Sequence, residues 1–349
     1  MEITELSIDG YERVVRAKDP ESGLHAIISV HDTTLGPALG GMRMWPYASE
    51  DEALTDVLRL SRGMTFKSAI AHTGLGGGKS VILGDPSIKS EALFLAMGRF
   101  VDSLDGLYVT AEDMNIGVSD LETVRRATRH VTGLSRDDGG SGNPSPYTAY
   151  GVFLGLKAAC GRAFGSEDIT GKKVAVQGVG ATGSALVERL VKDGAIVSVT
   201  DRNEERVQAL VDAHGVQAVG ADEIYDVDMD VFAPCAMGAV VNDDTIGRLK
   251  CKAIAGVANN VLAEPQHGRE LFEKKVVYAP DYVINAGGIV NVSVEFREGG
   301  YDEGVAVERI QRIPEALREV WQISDSEKIP TSDAADRLAQ QIVERSRSA

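Results

Sequence analysis

Apolar and polar positions alternate along this chain with two periods, one suited to strands and one to helices, and the two take turns from end to end. Residues 11–17 and Leu24-His25-Ala26-Ile27-Ile28-Ser29-Val30 are strand-length runs rich in β-branched residues. Ser49 to Arg62 carries Ala53, Val57, Leu58 and Leu60 as apolar positions, with Ser49 as a cap and Glu50-Asp51-Glu52 suited to a first turn. The pattern then predicts short strands at Ala69-Ile70-Ala71 and Ser80-Val81-Ile82-Leu83 around a glycine loop. A helix from Ser90 to Ser103 and a strand from Leu107 to Ala111 follow. The clearest break is Asp137 to Pro146, rich in Gly, Ser and Pro, so a boundary or hinge is expected near 131–146.

Beyond the break the alternation resumes. A long helix is predicted from Tyr147 to Phe164, then a strand Lys173 to Gln177, a helix Ser184 to Asp193 and a strand Ala195 to Thr200. Further strands are expected near 229–233, 252–255 and 276–278, and a helical region over about 302–347. Within it, Ala335, Leu338, Ala339 and Ile342 give Ser332 to Arg345 an amphipathic face, expected to return to the first domain. The expected architecture is α/β, with an N-terminal α/β substrate domain and a Rossmann-type nucleotide domain separated by a cleft. The first would cover 1–133 plus a C-terminal helix at about 327–349, and the second 134–326.

Between the strand Lys173–Gln177 and its helix lies Gly178-Val179-Gly180-Ala181-Thr182-Gly183. The first glycine permits a tight turn, the second lets backbone amides approach a pyrophosphate, and the third lets helix and strand pack closely. The helix N-terminus then offers N–H groups and a positive dipole end to phosphates. The next strand ends at Asp201, a carboxylate suited to ribose hydroxyls and repelled by a 2′-phosphate, which favours NAD over NADP. Arg202 beside it tempers that preference.

Composition narrows the remaining classes. The 349 residues are 43% hydrophobic and 25% charged, as expected of a soluble globular chain of two domains. No membrane-length apolar run and no signal-peptide pattern is present, so a cytoplasmic location is expected. A net charge of −16 argues against nucleic-acid or anionic-membrane surfaces. Three scattered cysteines and six histidines without ligand spacing suggest neither a disulfide framework nor a metal site.

Against that acidic background, Lys67 and Lys79 stand out, because no other formal charge lies between them. A lysine in a dry pocket can anchor a carboxylate and, if its pKa is depressed, exchange protons near neutrality. Gly78-Lys79-Ser80 ends like a phosphate-binding loop, but Thr73 stands where that motif needs glycine. Two surface lysines flanking a turn is the plainer alternative. Asp113 follows the strand 107–111 directly and is either a general base at a strand's carboxyl end or a cap for the next helix. Asn259-Asn260 follows another strand end. Asn285 to Val292 combines glycines at a helix start with Ile and Val that either line an aliphatic pocket or face a core.

Together these segments, with Asp32 to Gly41, Ala233-Pro234-Cys235-Ala236 and Tyr278 to Asn291, resemble the amino acid dehydrogenases of the glutamate/leucine/phenylalanine/valine family, over nearly the whole chain. The likeness looks closest to the leucine-active members. It implies reversible NAD-dependent oxidative deamination of an apolar L-amino acid to a 2-oxo acid and ammonia, by a homo-oligomer needing no metal. It assigns the substrate α-carboxylate to Lys67 with backbone near Gly40 and Gly41, the reacting centre to Lys79, and proton transfer at the amine to Asp113. Leu39, Met64, Ile289 and Val292 would line the side-chain pocket. Thr148 and Asn260 would position the nicotinamide, with Cys235, Ala236 and Asn285 completing the cofactor site. Met114-Asn115-Ile116 is more like the phenylalanine- and tryptophan-active members, with Asn115 placed to bond the amine. An idle NAD-binding regulator is the rival of a different class.

Overall fold

The N-terminal sheet takes its strength from strands that bury both faces. The computed structural model describes residues 1–348, except for the side chain of Asp138. Its strands are β1 (Glu2–Leu6), β2 (Arg13–Asp19), β3 (Leu24–Asp32), β4 (Ala38–Trp45), β5 (Gly76–Leu83) and β6 (Tyr108–Ala111), in the order β1-β2-β3-β5-β4-β6. Neighbours are antiparallel from β1 to β5 and parallel across β5, β4 and β6. Alternate residues take opposite faces. Val14, Ile27 and Val81 meet Ala53 and Val57 of α1 (Glu50–Ile70) on one side. Val15, Ile28 and Ile82 join a second cluster with Leu93, Met97 and Phe100 of α2 (Glu91–Asp102) and Leu121 and Val124 of α3 (Val118–Arg125) on the other.

Three expectations are corrected here. The segment 69–71 is not a strand: α1 runs from its Ser49 cap to Ile70, burying Thr65, Phe66, Ser68, Ala69 and Ile70 beyond the expected end at Arg62. Gly63 and the β-branched and aromatic residues after it weaken helix propensity, and burial overrides that weakness. β5 begins at Gly76, four residues early. β4 was not foreseen, because Gly40 and Gly41 in its middle disguise a central strand.

The second unit holds a fully parallel sheet. After α4 (Ser145–Phe164) come β7 (Lys173–Gln177), α5 (Ala181–Lys192), β8 (Ile196–Thr200), α6 (Glu204–His214) and β9 (Gln217–Ala218). Then follow β10 (Val231–Pro234), β11 (Ala253–Ile254), α7 (Pro265–Glu273) and β12 (Val277–Tyr278). The order is β12-β11-β10-β7-β8-β9, so the chain starts centrally, builds one edge and then returns to build the other. Ligands in such sheets bind at the carboxyl ends of the two strands where the order reverses, here β7 and β10.

Helices α8 (Asp281–Ile284), α9 (Gly287–Ser293), α10 (Glu303–Ile310), α11 (Ile313–Glu327) and α12 (Thr331–Arg347) complete the chain. The first unit comprises Met1–Asn143, Val292–Glu303 and the chain from Ala339 on; the second comprises Pro144–Asn291 and Gly304–Leu338. The expected C-terminal helix is seen as α12, whose Arg347 pairs with Asp32 of the first unit; Ala349 lies outside the described residues. The glycine-rich break is tied down, because Glu295 Oε1 accepts from Gly133 N at 3.2 Å and Ser141 N at 2.6 Å. Among the described residues no helix is long and apolar enough to cross a membrane.

Candidate active site

Three neighbouring strands bring the chemistry of the first unit together. β4 lies between β5 and β6, with Gly40 opposite Thr110, Gly41 opposite Ala111 and Met42 opposite Ser80. Lys79 projects from β5, and Asp113 sits just past the carboxyl end of β6. The two glycines of β4 are there for close packing. A Cβ on Gly40 would lie 1.7 Å from the Gly78 carbonyl, and one on Gly41 would lie 2.4 Å from the Glu112 carbonyl and 2.7 Å from Asp113 Cβ. Only glycine lets both flanking strands approach this closely. Tyr108, fully buried beneath them, donates its hydroxyl to the Gly40 carbonyl at 2.7 Å and lies 3.0 Å from the Ser80 hydroxyl.

Lys79 is 5% exposed, which removes the surface-lysine alternative. Its side-chain nitrogen forms an ion pair with Asp113 Oδ2 at 3.1 Å. Arg43 Nε donates to the same oxygen at 2.7 Å, so Asp113 is bound to cations rather than capping a helix. Arg43 was not anticipated. Its signal was available, since it is the single formal charge between Asp32 and Glu50. Arg43 Nη1 in turn donates to Asp56 Oδ2 at 2.9 Å, and Asp56 also accepts from Tyr47 Oη at 2.7 Å and Arg59 at 2.9 Å.

The electrostatics follow from burial and these partners. Burial works to raise the Asp113 pKa, but the charges of Lys79 and Arg43 outweigh it and hold the carboxyl below its ordinary range. Burial lowers the Lys79 pKa; Asp113 opposes this and Arg43 adds to it. The result is an ionised carboxylate beside an amine pushed toward neutrality, the combination that acid–base chemistry needs.

Lys67 lies on the last turn of α1, half-buried, and Met64 is half-buried on the same helix. Leu39 is buried on β4; Ile289 and Val292 are each 8% exposed on α9. Asn115 is exposed with φ 61°, and its amide nitrogen donates to the Met44 carbonyl at 3.0 Å.

The second unit gathers the glycine fingerprint at the switch between β7 and β10. Gly178 has φ 103°, and a Cβ there would lie 2.5 Å from that of Ala236, so the loops after β7 and β10 touch through it. A Cβ on Gly183 would meet the Gly178 carbonyl at 2.2 Å. Helix α5 starts at Ala181, not at Ser184 as the sequence suggested, so Ala181, Thr182 and Gly183 form its first turn. Gly180 stands at its cap with open space above it and no capping side chain. An uncapped start on a 12-residue helix, floored by glycines, fits the pyrophosphate of a dinucleotide.

Asp201 is set by the same loop: Oδ2 accepts from Val179 N at 2.7 Å and Oδ1 from Asn203 N at 2.9 Å. Burial works against its ionisation, and these backbone bonds overcome it, keeping the carboxylate charged. Arg202 beside it is exposed. Asn285 is buried and donates to the Val257 carbonyl at 3.0 Å and Asn259 Oδ1 at 2.7 Å, and Asn260 is exposed with φ 52°. Thr148 donates to the Pro144 carbonyl at 3.1 Å beside Gly288, and half-buried Cys235 faces its own strand end at the Ala233 carbonyl. Among the described residues no group of three or more His, Cys, Asp or Glu could hold a metal.

Residues 11–130 match a family described as Glu/Leu/Phe/Val dehydrogenase, dimerisation domain, and residues 200–349 match Glutamate/Leucine/Phenylalanine/Valine dehydrogenase. A leucine dehydrogenase of Thermoactinomyces intermedius is 53% identical over 338 residues, 97% of this chain and 92% of that one. A phenylalanine dehydrogenase of Caldalkalibacillus thermarum is 44% identical over 345 residues, 97% of this chain and 92% of that one. The crystal structure of an L-tryptophan dehydrogenase from Nostoc punctiforme superposes with a TM-score of 0.85 at 41% identity, covering 97% of each chain.

Proposed function

The chain belongs to the Glu/Leu/Phe/Val dehydrogenase family, and on that footing we propose that it oxidises a branched aliphatic L-amino acid, leucine foremost, to the 2-oxo acid and ammonia with NAD as acceptor. The observation that carries the reading is the buried Lys79 sharing Asp113 Oδ2 with Arg43, a constellation that can move protons at an amine and at water.

Bound NAD supplies the hydride acceptor at nicotinamide C4. Gly178, Gly180, Ala181, Thr182 and Gly183 would hold its pyrophosphate and Asp201 its ribose, with Arg202 at the rim. Thr148, Cys235, Ala236, Asn260 and Asn285 would frame the nicotinamide half. Lys67 would hold the substrate α-carboxylate, helped by backbone near Gly40 and Gly41. Asp113 would take a proton from the substrate ammonium, so that the nitrogen lone pair can form a C=N bond as hydride leaves Cα. Lys79, neutral, would take a proton from water as its oxygen attacks the iminium carbon. Asp113 would return its proton to nitrogen and then receive the proton that Lys79 took from water, so that Lys79, neutral again, would accept the hydroxyl proton as the carbinolamine collapses to ammonia and the 2-oxo acid.

Leu39, Met64, Ile289 and Val292 carry no charge, which suits an aliphatic side chain. A preference for phenylalanine or tryptophan is the second reading, favoured by Met114-Asn115-Ile116; here Asn115 would bond the amine through its remaining oxygen. Self-association belongs to the same reading, because residues 11–130 match a dimerisation domain. The test is NADH formation from L-leucine, L-valine, L-phenylalanine and L-tryptophan. The highest kcat/KM is expected with leucine. Turnover led by an aromatic substrate selects the second reading, and NAD binding without turnover of any amino acid leaves a regulator.

A further inference from the structure

Arg43 is not among the residues that the family likeness assigns a role, yet it makes the shortest bond to Asp113. Both cations that touch this carboxylate, Arg43 through Nε and Lys79 through Nζ, use Oδ2. Among the described residues none donates to Oδ1. Arg43 reaches Asp113 from β4 and Asp56 from α1 with different nitrogens, so one planar guanidinium joins two carboxylates 57 residues apart in sequence. Asp56 is itself fixed by Tyr47 Oη and Arg59. A lysine has no second nitrogen with which to span both partners.

We propose that Arg43 is a positioning residue for the reaction: anchored on Asp56, it fixes the Asp113 carboxylate through Oδ2 and leaves Oδ1 for the substrate amine. The inference rests on the proton-transfer role proposed for Asp113. Arg43 also sets the electrostatic state of the site. The titratable and charged groups around Asp113 are Lys79 from β5, Arg43 from β4, Tyr108 from β6, and Asp56 and Tyr47 beyond Arg43. Arg43 lowers the pKa of both Asp113 and Lys79, so its removal raises both, whichever group sets the acid-side limb of turnover.

The experiment compares Arg43→Met and Arg43→Lys with wild type in kcat, KM and pH profile, and follows the Asp113 carboxylate by 13C NMR titration. Arg43→Met is expected to lower kcat about 100-fold, the scale of a misplaced catalytic group, with amino acid KM changed less than about threefold. Its acid-side limb and its Asp113 titration should both move up by about one pH unit. Arg43→Lys keeps the charge and should leave the limb in place while still losing turnover. A kcat within about threefold of wild type, or lost turnover with an unmoved limb and titration, overturns the proposal. If Arg43→Met fails to fold, Asp56→Asn removes the anchor instead: about tenfold lower kcat supports the role, and unchanged kcat overturns it. Absence of turnover by wild type refutes the proposed function instead, and the Asp113 titration still decides whether Arg43 controls that carboxylate.

Discussion

The two sites of this chain are prepared in opposite ways. In the first unit the reactive groups are already engaged: Lys79, Asp113, Arg43, Asp56 and Tyr47 form one bonded chain in the free protein. In the second unit the glycine loop is left open, with no side chain capping α5 and open space above Gly180. The difference matches the work proposed for each. Moving protons needs charges held in fixed relation before the substrate arrives, which internal ion pairs supply. Receiving a large anion needs exposed backbone N–H groups and room, which an internal partner would occupy.

The comparison predicts that damage in one place leaves the other working. The largest effect is expected from Asp113→Asn, which removes the proposed proton acceptor and should lower kcat by about 10²–10⁴-fold. NADH affinity, read by fluorescence titration, should stay near wild type; a matching loss of affinity would join what is here held separate. Next comes Gly178→Val, whose branched side chain meets Ala236 at a φ of 103°. It should weaken NADH binding by about tenfold or more, while leaving the Asp113 titration where it was.

The pH profile sharpens the same contrast. If Lys79 must be neutral to take a proton from water, turnover rises as pH rises through its folded pKa, which burial places below the ordinary lysine value of 10.5. A limb at or above that value would show that burial does not tune Lys79. NADH binding should show no such limb. Asp201→Ser is a smaller test: it removes the carboxylate proposed to repel a 2′-phosphate, so the NADP-to-NAD ratio of kcat/KM should rise about tenfold. An unchanged ratio would mean that Asp201 does not read the ribose.

The smallest effect concerns structure alone. Hydrogen bonds from Lys18, then Arg16, hold Glu50 down to about 2, at the start of the helix that carries Asp56 and Lys67. A depressed carboxylate pKa adds stability above its unfolded value, near 4.5, and loses it as pH falls toward about 2. Glu50→Gln should therefore cost about 0.5–1 kcal/mol at pH 7, with the difference fading below pH 3–4 in urea unfolding.

The same contrast explains what the sequence disclosed. The nucleotide loop is contiguous: glycines, helix start and Asp201 lie within 24 residues, so local rules read it, with only the helix start misplaced by three residues. The reactive cluster is assembled across the sheet. Lys79 and Asp113 showed themselves by charge and by strand ends, but the Arg43–Asp113 bond spans 70 residues and depends on β4 lying between β5 and β6. No local pattern announces a central strand whose middle is Gly40-Gly41, because those glycines answer to neighbours supplied by distant segments. The extension of α1 to Ile70 was hidden for the same reason, since burial rather than propensity sustains its last two turns.

The central claim is that chemistry and nucleotide binding are built separately, and an NADH titration of Lys79→Ala tests it most directly. The account predicts a protein with no measurable amino acid oxidation whose NADH dissociation constant stays within about threefold of wild type. A variant that loses NADH binding together with turnover would contradict it.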